Sequence, residues 1–284
     1  MPELPEVETV RRGLIPIMEG QVLSRVVARR PDLRFPIPDG FGQQLTGRRV
    51  VRLDRRAKYL LIHFDSGVVL IWHLGMSGRV LIFERDPPPE EKHDHIIFET
   101  ESGAVVRFND TRRYGFVDLV DGDALDTYPM IAKLGPEPLD DSFDGAALAL
   151  RLKNRKTPIK AALLDQSVVA GLGNIYVSEA LHRAGISPRR LAGTVQGGRA
   201  VKLIVAIKQV LRDAIAAGGS SLRDHRQPNG ELGYFQHSFV VYDRAGQPCP
   251  RCDHGGDHGG DCGGVIQQIV QSGRSTFFCS ACQR

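Results

Sequence analysis

The chain opens with apolar residues spaced by three and four: Leu4, Val7, Val10 and Leu14. That spacing places one apolar face on a short helix over residues 3–14, which Pro16 is expected to end. From residue 22 to about 120 the period changes. VVRL, YLLIHF, VVLIWHL, RVLIF, HIIFE, VVRF and YGFVDLV are separated by short polar turns such as DSG and ESG. About seven strands at this spacing predict a β-sandwich or barrel-like domain. RDPPPEEKH at 85–93 is too rich in proline for a central strand and reads as a loop.

KLGPEPLDDSFDG at 133–145 has no period and reads as a linker. Helices are predicted in AALALRLKN, TPIKAALLDQ, NIYVSEALHRAG and QGGRAVKLIVAIKQVLRDAIAAGG. Thr157–Pro158 is expected to supply a cap and first-turn proline, and Gly218–Gly219 to stop the last helix. SSLRDHRQPNGELGYF at 220–235 reads as a flexible loop, and 237–284 as a compact element with a low-complexity insertion, DHGGDHGG. The expected division is 1–132, a linker over 133–148, then 149–236 and 237–284.

Composition narrows the class. With 284 residues, 42% of them hydrophobic, the chain can bury a real core. No apolar run approaches the roughly 20 residues of a membrane-spanning helix. The N-terminus is charged from its third residue, unlike a secretory signal, which predicts a soluble interior protein. Lys and Arg number 37 against 33 Asp and Glu, a net charge of +4 too modest to identify a polyanion partner alone. RRVVRLDRRAK at 48–58, RLKNRK at 151–156 and Arg112–Arg113 concentrate the basic residues. Each is either a solvated face or part of a stripe that meets phosphates.

All five cysteines lie between residues 249 and 282, an odd count in a short span that favours a metal module over a disulfide framework. Cys249-x-x-Cys252 and Cys279-x-x-Cys282 supply two knuckles, and four thiolates satisfy one tetrahedral Zn²⁺ with no open position. The interval between the pairs is 26 residues and contains Cys262, His254 and His258, so Cys262 is an alternative to Cys252. At the other end, Pro2 becomes a terminal secondary amine once Met1 is removed, with a reference pKa of about 7.7–8.0 for such a group. Its plainer role is to start a helix.

MPELPEVETVRRG, RRAKYL, HLGMSG, NDTRRYGF, GLGNIYVSEAL, GELGYFQHSFVVY and GRSTFFCSACQ occur in that order along the chain. Together they resemble the formamidopyrimidine-DNA glycosylase family over the whole sequence. The resemblance implies a multidomain α+β fold: an N-terminal β-sandwich with a catalytic N-terminal helix, a helix–two-turn–helix domain, and a C-terminal β-hairpin zinc finger. It implies an enzyme that excises oxidised purines and cuts the strand, with Pro2 as nucleophile, Glu3 as acid/base, Lys58 at a phosphate and Glu6 in support. His73 corresponds to a DNA-backbone contact, and Met76, Arg112 and Tyr114 to the residues that enter the base stack. Lys160, Asn174 and Arg274 correspond to phosphate-binding positions. The chain departs from the common family pattern with Tyr114 in place of Phe and Phe277 in place of His. Also implied are one structural Zn²⁺, damaged double-stranded DNA as partner, no small-molecule cofactor, no membrane, and a monomer in the bacterial cytoplasm, associated with the nucleoid. Two other readings are a relative preferring oxidised pyrimidines and a non-catalytic binder of damaged DNA.

Overall fold

The computed structural model describes residues 2–220, 234–250 and 263–284. They form two compact units, Met1–Ala132 with Ala214–Gln236, and Lys133–Asp213 with His237–Arg284. The predicted 220–235 loop falls largely outside the described residues, as do Cys252, Cys262, His254 and His258. Among the described residues no helix is long and apolar enough to cross a membrane.

The first unit begins with helix α1 (Leu4–Met18). Val7, Val10, Leu14 and Met18 are buried in one cluster with Leu23, Leu45, Leu53 and Leu60. Each such side chain contributes about 1.5–3 kcal/mol on burial. Pro16 lies inside this helix rather than ending it. It sits on the exposed face of the last turn, while buried Leu14 and Met18 on either side hold the turn to the core.

Behind α1 stand two four-stranded antiparallel sheets, ordered β1–β6–β7–β5 and β2–β3–β4–β8. Their strands are β1 (Leu23–Ala28), β2 (Val50–Arg56), β3 (Tyr59–Phe64), β4 (Val68–His73), β5 (Arg79–Phe83), β6 (Asp94–Thr100), β7 (Val105–Asn109) and β8 (Phe116–Asp121). The facing layers fill one core around Trp72, Phe98 and Phe108, with Trp72–Phe108 edge-to-face at 5.1 Å. β1 is additional to the predicted strands; it is an edge strand with a register shift between Leu23 and Arg25. The loop before β6 is held by Arg107, which donates to the Pro88 and Pro89 carbonyls and pairs with buried Asp94 at 3.2 Å.

Two short helices, α2 (Phe41–Leu45) and α3 (Pro129–Ala132), belong to the first unit. In the second, α4 (Gly145–Leu152), α5 (Ile159–Leu164), α6 (Asn174–Ala184) and most of α7 (Gly198–Ala216) bury Leu152, Leu163, Tyr176, Leu181 and Leu203. Asp144 caps α4 through Ala147 N at 2.9 Å. The cap of α5 is Pro158, without a side-chain bond, so Thr157 does not play the capping part its sequence position suggests. Gly185, at φ 68°, closes α6 in the left-handed conformation. The unit ends in a hairpin, β9 (Ile266–Gln271) with β10 (Arg274–Cys279). Its two-residue turn, Ser272–Gly273, has positive φ at both positions, which matches the twist of the flanking strands.

Candidate active site and thiolate cluster

Pro2 and Glu3 lie immediately before α1, and both are buried. Glu3 is the N-cap, and its backbone N–H donates to Glu6 Oε2 at 2.8 Å. This is the return half of a capping box, with glutamate at the third helical position. Glu6 Oε1 accepts from Ser220 N at 2.9 Å and from Ser220 Oγ at 3.0 Å. Glu6 is therefore a buried clasp between the first turn and the chain at Ser220. The contact is close: a Cβ on Gly219, already at φ 77°, would lie 3.2 Å from Glu6 Cγ. Bridge pairing of Ser220 with Tyr234 closes the ends of the segment between them.

Lys58 is 7% exposed, in the turn joining β2 to β3, where Ala57 has φ 53°. Arg55 holds that turn by donating to Ala57 O at 3.0 Å, and its Nε pairs with Glu8 Oε2 at 3.2 Å. Glu8 also accepts from Arg11 and Arg12. Burial raises the Glu8 pKa, but the hydrogen bonds from Arg11 and Arg12 and the charges of Arg11 and Arg55 outweigh it, bringing it to about 2. An ion-pair hub thus ties the face of α1 to the turn that carries Lys58.

His73 closes β4, stacked on Phe116 with ring centroids 5.4 Å apart. Its Nδ1 accepts from Gly75 N at 3.0 Å, so the neutral ring carries its proton on Nε2. Burial, with the nearby charges of Lys58 and Arg34, pushes its pKa down to about 4. The residue predicted to touch a DNA backbone is therefore a neutral N–H donor, not a cation.

Met76 and Tyr114 are exposed at 42% and 45% on adjacent turns. The Arg112 guanidinium lies 4.9 Å from the centre of the Tyr114 ring, close enough for a cation–π contact. Arg113, at φ 57°, bends the second turn.

In the second unit, Lys160 is only 1% exposed. Its Nζ donates to Ser275 O and Thr276 Oγ1, both at 2.7 Å. The ammonium expected at a phosphate is thus turned to the hairpin, because a buried charge requires oxygen acceptors. Asn174, at the first position of α6, also donates to Ser275 O, at 2.9 Å. Both therefore hold the carbonyl next to Arg274, which is itself exposed at the start of β10. Phe277 points into the finger core against Tyr242, with centroids 5.0 Å apart, so its departure from the family pattern lies inside rather than at the tip.

The Sγ atoms of Cys249, Cys279 and Cys282 all lie within 4.8 Å of one another, a group able to hold a metal ion. Burial and the adjoining Cys249 and Cys279 push the Cys282 thiol up to about 12. Sulfurs packed this closely are held as thiolates only with a cation among them, so the donor set fits a metal. Cys252, the predicted fourth ligand, lies outside the described residues. α6 anchors the segment: buried Glu179 accepts from Val240 N, Val241 N and Tyr242 N, and His182 Nε2 lies 3.3 Å from Cys249 Sγ.

Comparison with known proteins places these features. Residues 1–117 match the N-terminal domain of formamidopyrimidine-DNA glycosylase, residues 134–226 its H2TH domain, and residues 261–284 the zinc finger found in FPG and IleRS. The formamidopyrimidine-DNA glycosylase of Rhodospirillum rubrum is 60% identical over 288 residues, covering 100% of both chains. This chain belongs to the formamidopyrimidine-DNA glycosylase family.

Solved glycosylase structures agree with the assignment. The MutM (Fpg) protein of Thermus thermophilus is 39% identical and superposes with a TM-score of 0.84, covering 99% of this chain and 98% of that one. The Lactococcus lactis Fpg in complex with abasic-site DNA is 35% identical with a TM-score of 0.88, covering 100% of both. Several residues that organise this glycosylase were not singled out from the pattern: Glu8, Ser77, Asp110, Glu179, His182 and Ser220. Glu8 ends PELPEVE and Asp110 lies within NDTRRYGF, but the contacts that tie them to other segments, Arg55 with Glu8 and Ser77 with Asp110, span 47 and 33 residues, so the sequence pattern does not show them.

Proposed function

We infer that this glycosylase removes oxidised purines, 8-oxoguanine and formamidopyrimidines, from damaged double-stranded DNA and then cleaves the strand at the resulting abasic site. The observation that carries the reading is the buried Pro2–Glu3–Glu6 turn within the region matching the glycosylase N-terminal domain. In the proposed reaction the Pro2 nitrogen, freed of Met1, attacks C1′ and the N-glycosidic bond breaks with its electron pair leaving on the base. Glu3 supplies and returns protons as the sugar opens. The Pro2–C1′ iminium then accepts the electrons released when a C2′ proton is lost, expelling the 3′ phosphate. A second elimination expels the 5′ phosphate, leaving a one-nucleotide gap with phosphate at both ends, and water releases Pro2.

Lys58 is assigned to the phosphate beside the everted nucleotide, and His73 to a backbone oxygen through its Nε2–H. Met76, Arg112 and Tyr114 fill the space the base vacates. Arg274 and Asn174 are assigned to phosphates, with Lys160 fastening the hairpin beside Arg274. Cys249, Cys279 and Cys282, with Cys252 as fourth ligand, would hold one Zn²⁺. A closed shell of thiolates binds no water, so the ion's part is to hold the finger together. The setting proposed is the bacterial cytoplasm, at the nucleoid.

The test is borohydride trapping of Met1-free protein on duplex DNA bearing one 8-oxoguanine opposite cytosine, with the adduct mapped by mass spectrometry. A crosslink at Pro2, with a one-nucleotide gap in the untrapped reaction, is expected. A crosslink elsewhere overturns the nucleophile. Trapping only on oxidised pyrimidines overturns the substrate, and none on any lesion overturns catalysis.

A further inference from the structure

The two turns bearing Met76 and Arg112–Tyr114 are joined by a buried polar brace that takes no part in the chemistry above. Asp110 is 0% exposed and Ser77 is 3% exposed, although both lie beside exposed side chains. Ser77 Oγ donates to Asp110 Oδ1. The same Ser77 oxygen accepts from Arg112 N at 3.1 Å, and Asp110 Oδ2 accepts from Gly115 N at 2.8 Å. Asp110 is fixed in turn from its own backbone: its N–H donates to His93 O at 3.0 Å, and its carbonyl bonds His95 Nε2 at 2.8 Å. Thus one carboxylate gathers the first turn through Ser77 and both ends of the second turn through Arg112 and Gly115.

The backbones themselves interlock. A Cβ on Gly75 would lie 2.3 Å from both Tyr114 C and Gly115 N, so only glycine allows the turns to touch there. A Cβ on Gly115 would lie 2.5 Å from Phe108 Cζ in the core. Met76, Arg112 and Tyr114 consequently project from a single seat, and Arg112 is already laid over the Tyr114 ring in the protein alone.

We propose that Ser77 and Asp110 are positioning residues that lock Met76, Arg112 and Tyr114 into one preorganised wedge, and so determine how readily a base-paired lesion is everted. The proposal rests on the assignment of those three side chains to the base stack. Its physical basis is that ordering a flexible wedge during insertion would cost conformational entropy, which the brace removes beforehand. A paired lesion must be unstacked before attack, whereas a preformed abasic site has no base to extrude. Loss of the brace therefore weighs on the first substrate and not on the second.

The experiment compares wild type, Ser77→Ala, Asp110→Asn and Met76→Ala under single-turnover conditions on two duplexes, one with 8-oxoguanine opposite cytosine and one with a preformed abasic site. Thermal melting of each variant accompanies the rates. Removing one charge-assisted hydrogen bond predicts that Ser77→Ala loses about tenfold or more on the paired lesion, while abasic-site cleavage stays within about twofold. Asp110→Asn should show the same direction of split. Equal losses of Ser77→Ala on both substrates, or none on either, overturn the brace. Met76→Ala separates the two levels: if it shows no split, the wedge assignment fails; if it splits and Ser77→Ala does not, the positioning role fails.

Discussion

Replacing Glu6 by glutamine keeps the shape of the clasp and removes one of its acceptors. The carboxylate accepts from Glu3 N on one oxygen and from Ser220 N and Oγ on the other, within a residue only 2% exposed. An amide offers one oxygen and one NH₂. Whichever way it is turned, its NH₂ meets a backbone N–H, either that of Glu3 or that of Ser220. One hydrogen bond to a charged acceptor is lost and one buried donor is left against another donor, a cost of about 1.5–3 kcal/mol. The serine hydroxyl can rotate, whereas the backbone donors cannot. If the cost falls on the catalytic turn, the competent arrangement is depleted by about 10–150-fold, at tenfold per 1.4 kcal/mol. The assay is the rate of borohydride trapping on a preformed abasic site, with a melting curve alongside. We expect Glu6→Gln to slow trapping at least about tenfold and to lower Tm by a few degrees. A trapping rate within about twofold of wild type, at unchanged Tm, would refute the clasp as a determinant of the Pro2–Glu3 geometry.

Other outcomes follow from the site geometry. His73 has a folded pKa of about 4, below the ordinary histidine value, so the folded state binds fewer protons between the two values and its contribution to stability is lost as pH falls from about 6.5 towards 4. Burial lowers His63 and His95 as well, with the same sign. An imidazole NMR resonance of His73 titrating near 6.5 would contradict this. Glu8 acts lower on the scale: its paired form stabilises the fold above its unfolded value, and that stability is lost as pH falls through about 2, to be checked by acid unfolding of Glu8→Gln against wild type. Arg274→Ala should weaken binding of lesion and undamaged duplex alike and reduce the salt slope by about one, read from affinities at several salt concentrations. A lesion-selective loss with the slope intact would count against a phosphate contact. Cys279→Ser should release zinc, measured by elemental analysis, and lower the first melting transition. Full zinc retention would remove Cys279 from the ligand set.

What the sequence made legible was chemistry that works over a few residues. The apolar spacing of Leu4, Val7, Val10 and Leu14 places one face of α1 in the core, and the CxxC pair at 279–282 contributes to the thiolate group. Local rules failed where tertiary packing outweighed them. Pro16 does not end α1 because its exposed position makes the missing hydrogen bond inexpensive, while buried neighbours hold the turn. β1 escaped the pattern because an edge strand with a shifted register buries only Leu23 and Val26 fully.

The contacts that position the chemistry were hidden for a different reason. Glu6 meets Ser220 across 214 residues, Lys160 meets Thr276 across 116, His182 meets Cys249 across 67, and Ser77 meets Asp110 across 33. A buried polar group must find a partner, but nothing in its own neighbourhood says which one. Lys160 shows the consequence: the residue type suits a phosphate, and only the presence of Ser275 O and Thr276 Oγ1 reveals an anchor for the hairpin. Motifs thus identify the groups that can touch DNA, whereas the arrangement that aims them is carried by polar residues whose roles exist only once the chain has folded. For that reason substitutions at Ser77, Glu6 and Lys160 should perturb substrate discrimination and geometry without removing any group that reacts.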